Sequence, residues 1–334
     1  MATVDITVMG AGVFGLSVAY TCARRNARVR VIDPGGVAAG ASGGIVGALA
    51  PHVPENWNDK KAFQFESLIM AERFWADVAA LAGAEVGYIR SGRLQPLADD
   101  HAVALAKARA ETARDLWQGK ALWEVIQVGD AIWMPPSPTR LVIRDTLSAL
   151  IHPRNATHAL AKAVVALGGE IVKAGAAEGR LVWATGVDGV NEAGGGGVKG
   201  QAALLDFDAA GQPQLFADAL HIIPHLNGTV AVGSTSERAY DDPDSTDEAL
   251  DDVIARAVAA FPVLAKAPVI ERWAGVRPRS RSRAPVLGPH PTRPGTFIAN
   301  GGFKIGFGMA PKVGAVMADL LLDGHDSIPE GFRP

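Results

Sequence analysis

The sequence of 334 residues predicts an α/β fold: a Rossmann-type nucleotide-binding domain with a second, mainly antiparallel α+β domain inserted into it. Three observations predict it. An apolar run over 3–9 leads straight into Gly10-Ala11-Gly12-Val13-Phe14-Gly15, and the next apolar run, Val29 to Ile32, ends on Asp33. The stretch 201–234 alternates in the strand period, with Asn227-Gly228 as a hairpin signal. The chain then returns to a strand, a glycine-rich turn and a closing helix. The expected division is 1–80 with 145–200 and 285–334 for the nucleotide domain, and 81–144 with 201–284 for the inserted one.

The elements follow in order. After Gly15 a helix carries Leu16, Ala19 and Cys22 on one side, with Arg24-Arg25 in its last turn. Small residues crowd Gly40 to Ala50, which lets the backbone come close to a flat or charged group. Helices are predicted over 60–82 and 99–118 from their apolar stripes. Prolines 135, 136 and 138 break 122–144 into edge strands and loops. A helix over 155–167 stops at Gly168-Gly169, and a strand, Arg180 to Trp183, follows. Gly194 to Gly197 reads as a flexible connection. Ser245 with Glu248 reads as a capping box for a helix over 246–260, which Pro262 ends. The last strand is 296–299, the glycine-rich turn 301–308 and the last helix 309–323.

Composition narrows the function. Hydrophobic residues make up 48% and charged residues 20%, as in an ordinary globular enzyme. A net charge of −3 supplies no field for nucleic acid or an anionic membrane. One cysteine, Cys22, excludes an internal disulfide and fits a reducing compartment, so a cytoplasmic location is expected, with no signal peptide. No run of eighteen apolar residues is present for a membrane span. No His, Cys or acid cluster has metal-ligand spacing, and Ser42 lacks a nucleophile elbow.

The glycine motif has a chemical reading. Gly10 permits the tight turn, Gly12 admits a pyrophosphate, and Gly15 lets helix and strand pack closely. The helix start at Val13 and Phe14 offers free N–H groups and a positive dipole end to phosphate. Asp33 accepts from a ribose hydroxyl and repels a 2′-phosphate. A second glycine-rich helix start, at 301–308, suits a cofactor with phosphates at one end and an electron-accepting ring at the other.

Four segments together resemble the D-amino-acid oxidase and glycine oxidase family of FAD-dependent oxidoreductases. They are the glycine motif with Asp33; Gly40-Ala41-Ser42-Gly43-Gly44 with Gly47 to Pro51; Trp273 to Pro278 followed by Pro285-Val286-Leu287-Gly288; and Asn300 to Pro311. The resemblance covers nearly the whole chain. It looks closest to glycine oxidases and to the oxidase domain of a bacterial tRNA wobble-uridine modification enzyme.

The resemblance implies non-covalent FAD held by Gly10, Gly12, Val13, Phe14, Gly15, Asp33, Ala41, Ser42, Gly47, Thr185, Gly186, Gly302, Phe303, Gly306, Phe307 and Gly308. It implies oxidation of the C–N bond of a small amino acid (glycine, N-methyl or D-) by hydride transfer to flavin N5. The imine formed then hydrolyses, and oxygen or a quinone or carrier takes the electrons. Arg277 is the implied anchor for the substrate carboxylate, its planar fork suited to two hydrogen bonds. Arg279, Arg281 and Arg283 read mainly as a solvated loop. Lys304 falls where glycine oxidases carry a basic residue near the ring, to polarise substrate or aid oxygen reduction; the alternative is a surface lysine. His221 stands where the family commonly has a tyrosine contacting the carboxylate; as a plain residue it reads as a hydrogen-bonded strand histidine. Ser282 replaces a common acid, and 169–184 looks short of the family's extra hairpin. Other functions considered are removal of a carboxymethyl group from a tRNA uridine and a non-catalytic flavoprotein. No nucleic-acid partner or metal is expected, and a homo-oligomer is allowed.

Overall fold

A computed structural model describes residues 4–334. The fold has two large sheets, and the sequence period of each strand matches the surface it covers. The first sheet has six strands in the order Val286–Pro289, Phe297–Asn300, Arg180–Trp183, Ile6–Met9, Val29–Ile32 and Glu170–Val172. All its pairings are parallel except that of Val286–Pro289 with Phe297–Asn300. Parallel strands need covering on both faces, which explains runs such as Ile6-Thr7-Val8 with no exposed member. Only the seven residues 173–179 join Glu170–Val172 to Arg180–Trp183.

The helix Val13–Ala23 is apolar on nearly every side, because it is wedged between the sheet and three other helices, Asp59–Ala82, Pro153–Ala166 and Gly306–Asp323. Gly314 allows the closest crossing: a Cβ there would lie 2.7 Å from Ser17 O. Asn58 caps Asp59–Ala82 by accepting from the Lys61 N–H at 3.1 Å.

The second sheet has eight strands, in the order Val269–Arg279, Gly196–Asp206, Thr229–Gly233, Leu220–Pro224, Gln214–Ala217, Arg93–Pro96, Leu141–Asp145 and Trp123–Gln127. Its pairings are antiparallel save Gln214–Ala217 with Arg93–Pro96. The strand alternation sorts its two faces. Ala203, Leu205, Val230 and Val232 pack under the helix Glu248–Ala260 through Leu250, Val253 and Ala257. Ala202, Leu204 and Ala231 turn the other way, onto Ile45 and Leu150. A buried pair, Arg93 Nε to Asp145 Oδ2 at 2.9 Å, ties the third-last and second-last strands together, and Asp145 also accepts from the Ser148 N–H at 2.7 Å.

Four expectations are corrected. Gly196 and Gly197 are not a flexible link but the start of an eleven-residue strand, paired with Arg279 and Pro278. Ser245 does not cap the next helix; Asp247 does, accepting from the Ala249 N–H at 3.0 Å while the Gln201 amide donates to the same oxygen. The last helix begins at Gly306, three residues early, because glycine at 306 and 308 tolerates the helical turn beside the cavity. Arg24 is the residue after the first helix, not part of its last turn.

The glycine motif separates packing from ligand space. A Cβ at Gly15 would lie 2.1 Å from Gly10 O, whereas at Gly12 its nearest neighbour is Ser42 Oγ at 3.2 Å. Gly15→Ala is therefore expected to lose about 1–3 kcal/mol of stability by overpacking. Gly12→Val should keep the urea midpoint of the flavin-free parent but purify without flavin. Equal destabilisation of both would show that Gly12 serves packing alone.

Candidate functional site

The two sheets enclose a cavity of about 980 Å³ whose walls come from both. At one end lies the glycine turn. Gly10 adopts φ +113°, and a side chain there would meet Ala184 O at 2.3 Å, so only glycine brings this turn against the third strand. Asp33 braces the turn from the next strand: Oδ2 accepts from the Ala11 N–H at 2.7 Å and Oδ1 from the Gly35 N–H at 2.9 Å. Ser42 Oγ accepts from the Val13 N–H at 3.0 Å, fastening the 3-10 turn Ala41–Gly43 to the start of the first helix. A Cβ at Gly47 would lie 1.8 Å from Ile151 O, so this segment too runs in direct backbone contact while lining the cavity.

The opposite end is built by the second sheet and the turn before the last helix. Gly302, Phe303, Lys304, Gly306 and Phe307 line it. The helix Gly306–Asp323 starts with no side-chain cap, so its first N–H groups face the cavity with their dipole unsatisfied. Phe303 sits at φ 42°, a strained value for a side chain of its size, held by its N–H donating to Pro278 O at 3.1 Å.

Arg277 is the most desolvated cation there. Its Nη2 donates to Ser234 Oγ at 2.8 Å and to Thr235 O at 3.0 Å, while Nη1 is enclosed without a partner. Burial pushes the guanidinium down to about 10, with Glu237 opposing. Glu237 is itself engaged by the Thr235 hydroxyl and the Gln201 amide. The guanidinium fits only because residue 200 is glycine: a Cβ there would lie 1.4 Å from Nη2.

Lys304 has no acid or hydrogen-bond acceptor on its ammonium among the described residues; burial, then Arg277, lowers its pKa. His221 opens to the cavity on one side, but its Nδ1 is enclosed and unpartnered. Its ring packs on Phe216, 4.8 Å between centroids, from the paired position of the neighbouring strand. Burial, then Arg93 and Lys304, pushes it down to about 3, so it stays neutral. It is not the hydrogen-bonded strand histidine that is the plain expectation for such a residue.

Of the residues singled out from the sequence, all line this cavity except Gly15 and Gly308. Gly15 packs on Gly10, and a Cβ at Gly308 would touch Leu68 at 3.4 Å. Both glycines serve helix packing behind the wall. Sequence reasoning missed Val46, Phe216, Ser234 and Asn300. Phe216 was findable from hairpin register with His221; Ser234 carried no signal, since its place follows from where strand Thr229–Gly233 ends.

A family model described as FAD dependent oxidoreductase matches residues 5–320. The chain belongs to this family. It is 28% identical to a glycine oxidase of Pseudomonas putida, over 99% of this chain and 98% of the relative. It is 24% identical to a glycine oxidase of Geobacillus kaustophilus, over 95% and 92%. The crystal structure of glycine oxidase from Geobacillus kaustophilus superposes with a TM-score of 0.85 at 19% identity, covering 98% of this chain and 97% of that one, which shows the shared fold.

The protein is an FAD-dependent oxidoreductase, and the cavity fits its cofactor. It has a side-chain-free cradle at Gly12 beside one helix start and an uncapped helix start at the other end. No described helix is long and apolar enough to cross a membrane, and among the described residues no group of His, Cys or acid side chains is placed to hold a metal. Gly200→Ala should displace the Arg277 guanidinium while leaving the glycine turn intact. The expected result is full flavin content with kcat/KM down at least tenfold, read from flavin absorbance and steady-state kinetics.

Proposed function

We propose that this oxidoreductase oxidises the C–N bond of a small amino acid, glycine or an N-substituted or D-amino acid. One observation carries the reading: the enclosed, half-satisfied guanidinium of Arg277 at the end of the cavity next to the uncapped helix start. A buried cation with an idle Nη1 is stabilised when an anion reaches it, and a carboxylate matches its planar fork. The resemblance to glycine oxidases supports the same choice of substrate.

FAD supplies the two-electron acceptor. The residues of this chain do the rest. Arg277 holds the carboxylate and so fixes the neighbouring carbon. Arg277 and Lys304 together place positive potential around the substrate nitrogen, which favours the neutral amine. The N-terminus of Gly306–Asp323 stabilises negative charge that develops at this end of the cavity. The substrate loses two electrons and two protons to become an imine, which water hydrolyses to the carbonyl product and free amine. Asp33, Gly12, Val13 and Ser42 are proposed to hold the nucleotide half, with Thr185 and Gly186 beside them. The attachment is proposed to be non-covalent: Cys22 is buried in the helix core, and His52, bonded to Gln64, does not line the cavity.

Arg277→Ala is expected to lower kcat/KM by about one and a half to nearly four decades, the equivalent of about 2–5 kcal/mol for stranding a desolvated charge partner. Arg277→Lys should recover only part, with flavin content unchanged in both. Anaerobic stopped-flow reduction by a panel of glycine, sarcosine and D-amino acids tests this. Parent-like reduction by Arg277→Ala at low substrate would place the anchor elsewhere.

The pH profile follows from two of these groups. Arg277 is held at about 10 and His221 at about 3, so neither changes charge between pH 5 and 8. Over that window kcat/KM should rise with pH as the substrate ammonium loses its proton. The slope of the rise over that window should be the same in His221→Gln, and a changed slope would show that His221 titrates in the free enzyme.

A further inference from the structure

The substrate end of the cavity carries more positive charge than one carboxylate can answer. Arg277 and Lys304 both line it and lie close enough for Arg277 to lower the Lys304 pKa. Among the described residues neither cation has an acid in ion-pair contact, and Glu237 offsets the Arg277 charge only in part. Asp33 is spent on the Ala11 and Gly35 N–H groups at the far end, and Glu237 is held behind the wall by Thr235 and Gln201. Asp188 and Asp244 also line the cavity, but neither is in ion-pair contact with Arg277 or Lys304.

Next to Lys304 stands His221, whose own surroundings add no negative charge. Behind it is Arg93, whose charge is taken by Asp145. His221 therefore offers a neutral ring beside an unpaired ammonium. Phe216 and Phe303 complete this corner, Phe303 with the Lys304 ammonium 5.9 Å from its ring centre.

We infer that the substrate is an amino acid with a second carboxylate, on its side chain or on its nitrogen, which Lys304 receives with His221 while Arg277 takes the first. This rests on Arg277 as the anchor proposed above. The geometry favours it over a role for Lys304 with a one-carboxylate substrate, because such a substrate leaves two like charges side by side with one counter-charge between them. An unpaired ammonium facing an amide in place of a carboxylate gains little, so discrimination between acid and amide is the signature.

The test uses the flavin-loaded enzyme and pairs that differ only in that charge: aspartate against asparagine, glutamate against glutamine, in both enantiomers, and iminodiacetate against its monoamide. The expected kcat/KM for the acid is at least tenfold above that for the amide, chiefly through KM. The ratio should fall to near one in Lys304→Met and largely persist in Lys304→Arg. Equal rates within each pair, or a Lys304→Met loss shared equally by acid and amide, would overturn the inference. Calorimetric titration with glutarate and with its monoamide separates this from the oxidation reading. Should no amino acid reduce the flavin, oxidation fails; tighter glutarate binding that Lys304→Met abolishes would still support the paired cations, and equal binding would end that idea too.

Discussion

Everything in this molecule depends on how closely the helix Val13–Ala23 can approach the strands that flank it. That approach is set by atoms that are missing. At Gly10 and Gly15 the space of a Cβ is already taken by Ala184 O and Gly10 O, at 2.3 and 2.1 Å. With the helix drawn in, the Ala11 N–H meets Asp33 and the Val13 N–H meets Ser42, at 2.7 and 3.0 Å. Two segments distant in sequence, 33–42 and 10–15, thus become one wall. Pushing the helix out by the width of a methyl group would break both hydrogen bonds and unseat the 3-10 turn that follows.

The cavity that results is chemically polar along its length. One end carries the carboxylate of Asp33 and backbone N–H groups. The other end carries Arg277, Lys304 and an uncapped helix start. Arg277 comes from the second sheet, whereas Lys304 and the helix start follow Phe297–Asn300 of the first, so this end is assembled where strands of both sheets meet. The position of Arg277 is fixed by pairing with Val198, and its guanidinium lies in the space left by Gly200 on that same neighbour.

The glycine turns, the four inner strands of the first sheet and much of the order of the elements were legible in the sequence, because each depends on local chemistry: a strand period, a glycine before a helix, an acid after a strand. The edge strands Glu170–Val172 and Val286–Pro289 were not. The second sheet was legible as strands over 201–234, but not at Arg93–Pro96 or Val269–Arg279, and not as a register. Nothing local shows that Gly196-Gly197 is strand, since two glycines favour no strand; the extended partner Val269–Arg279 decides it. The capping residue of Glu248–Ala260 was misplaced for a similar reason. Gln201, from a distant strand, donates to Asp247 and draws the cap onto that residue at 2.8 Å, so tertiary contact outweighed the local Ser245–Glu248 pattern. At the site, single residues such as Arg277 were legible through their motif, but the emptiness around Lys304 was not. The lack of a counter-charge is a property of everything packed nearby.

That lack bears on what the fold gives up. Arg277 is buried with one nitrogen unmatched, Lys304 has no acid on its ammonium among the described residues, His221 keeps an enclosed nitrogen unpaired, and Phe303 is held in a strained backbone. Each of these is unfavourable for stability taken alone. All of them line one end of one cavity, whereas the buried ion pair Arg93–Asp145, a short distance behind His221, is matched and further bonded to Ser148. The ion pair behind this wall has its charges matched, whereas the cations along it do not. The free energy withheld there is available to a ligand that brings carboxylates, and a substrate bound this way is oriented by the same groups that had lacked partners.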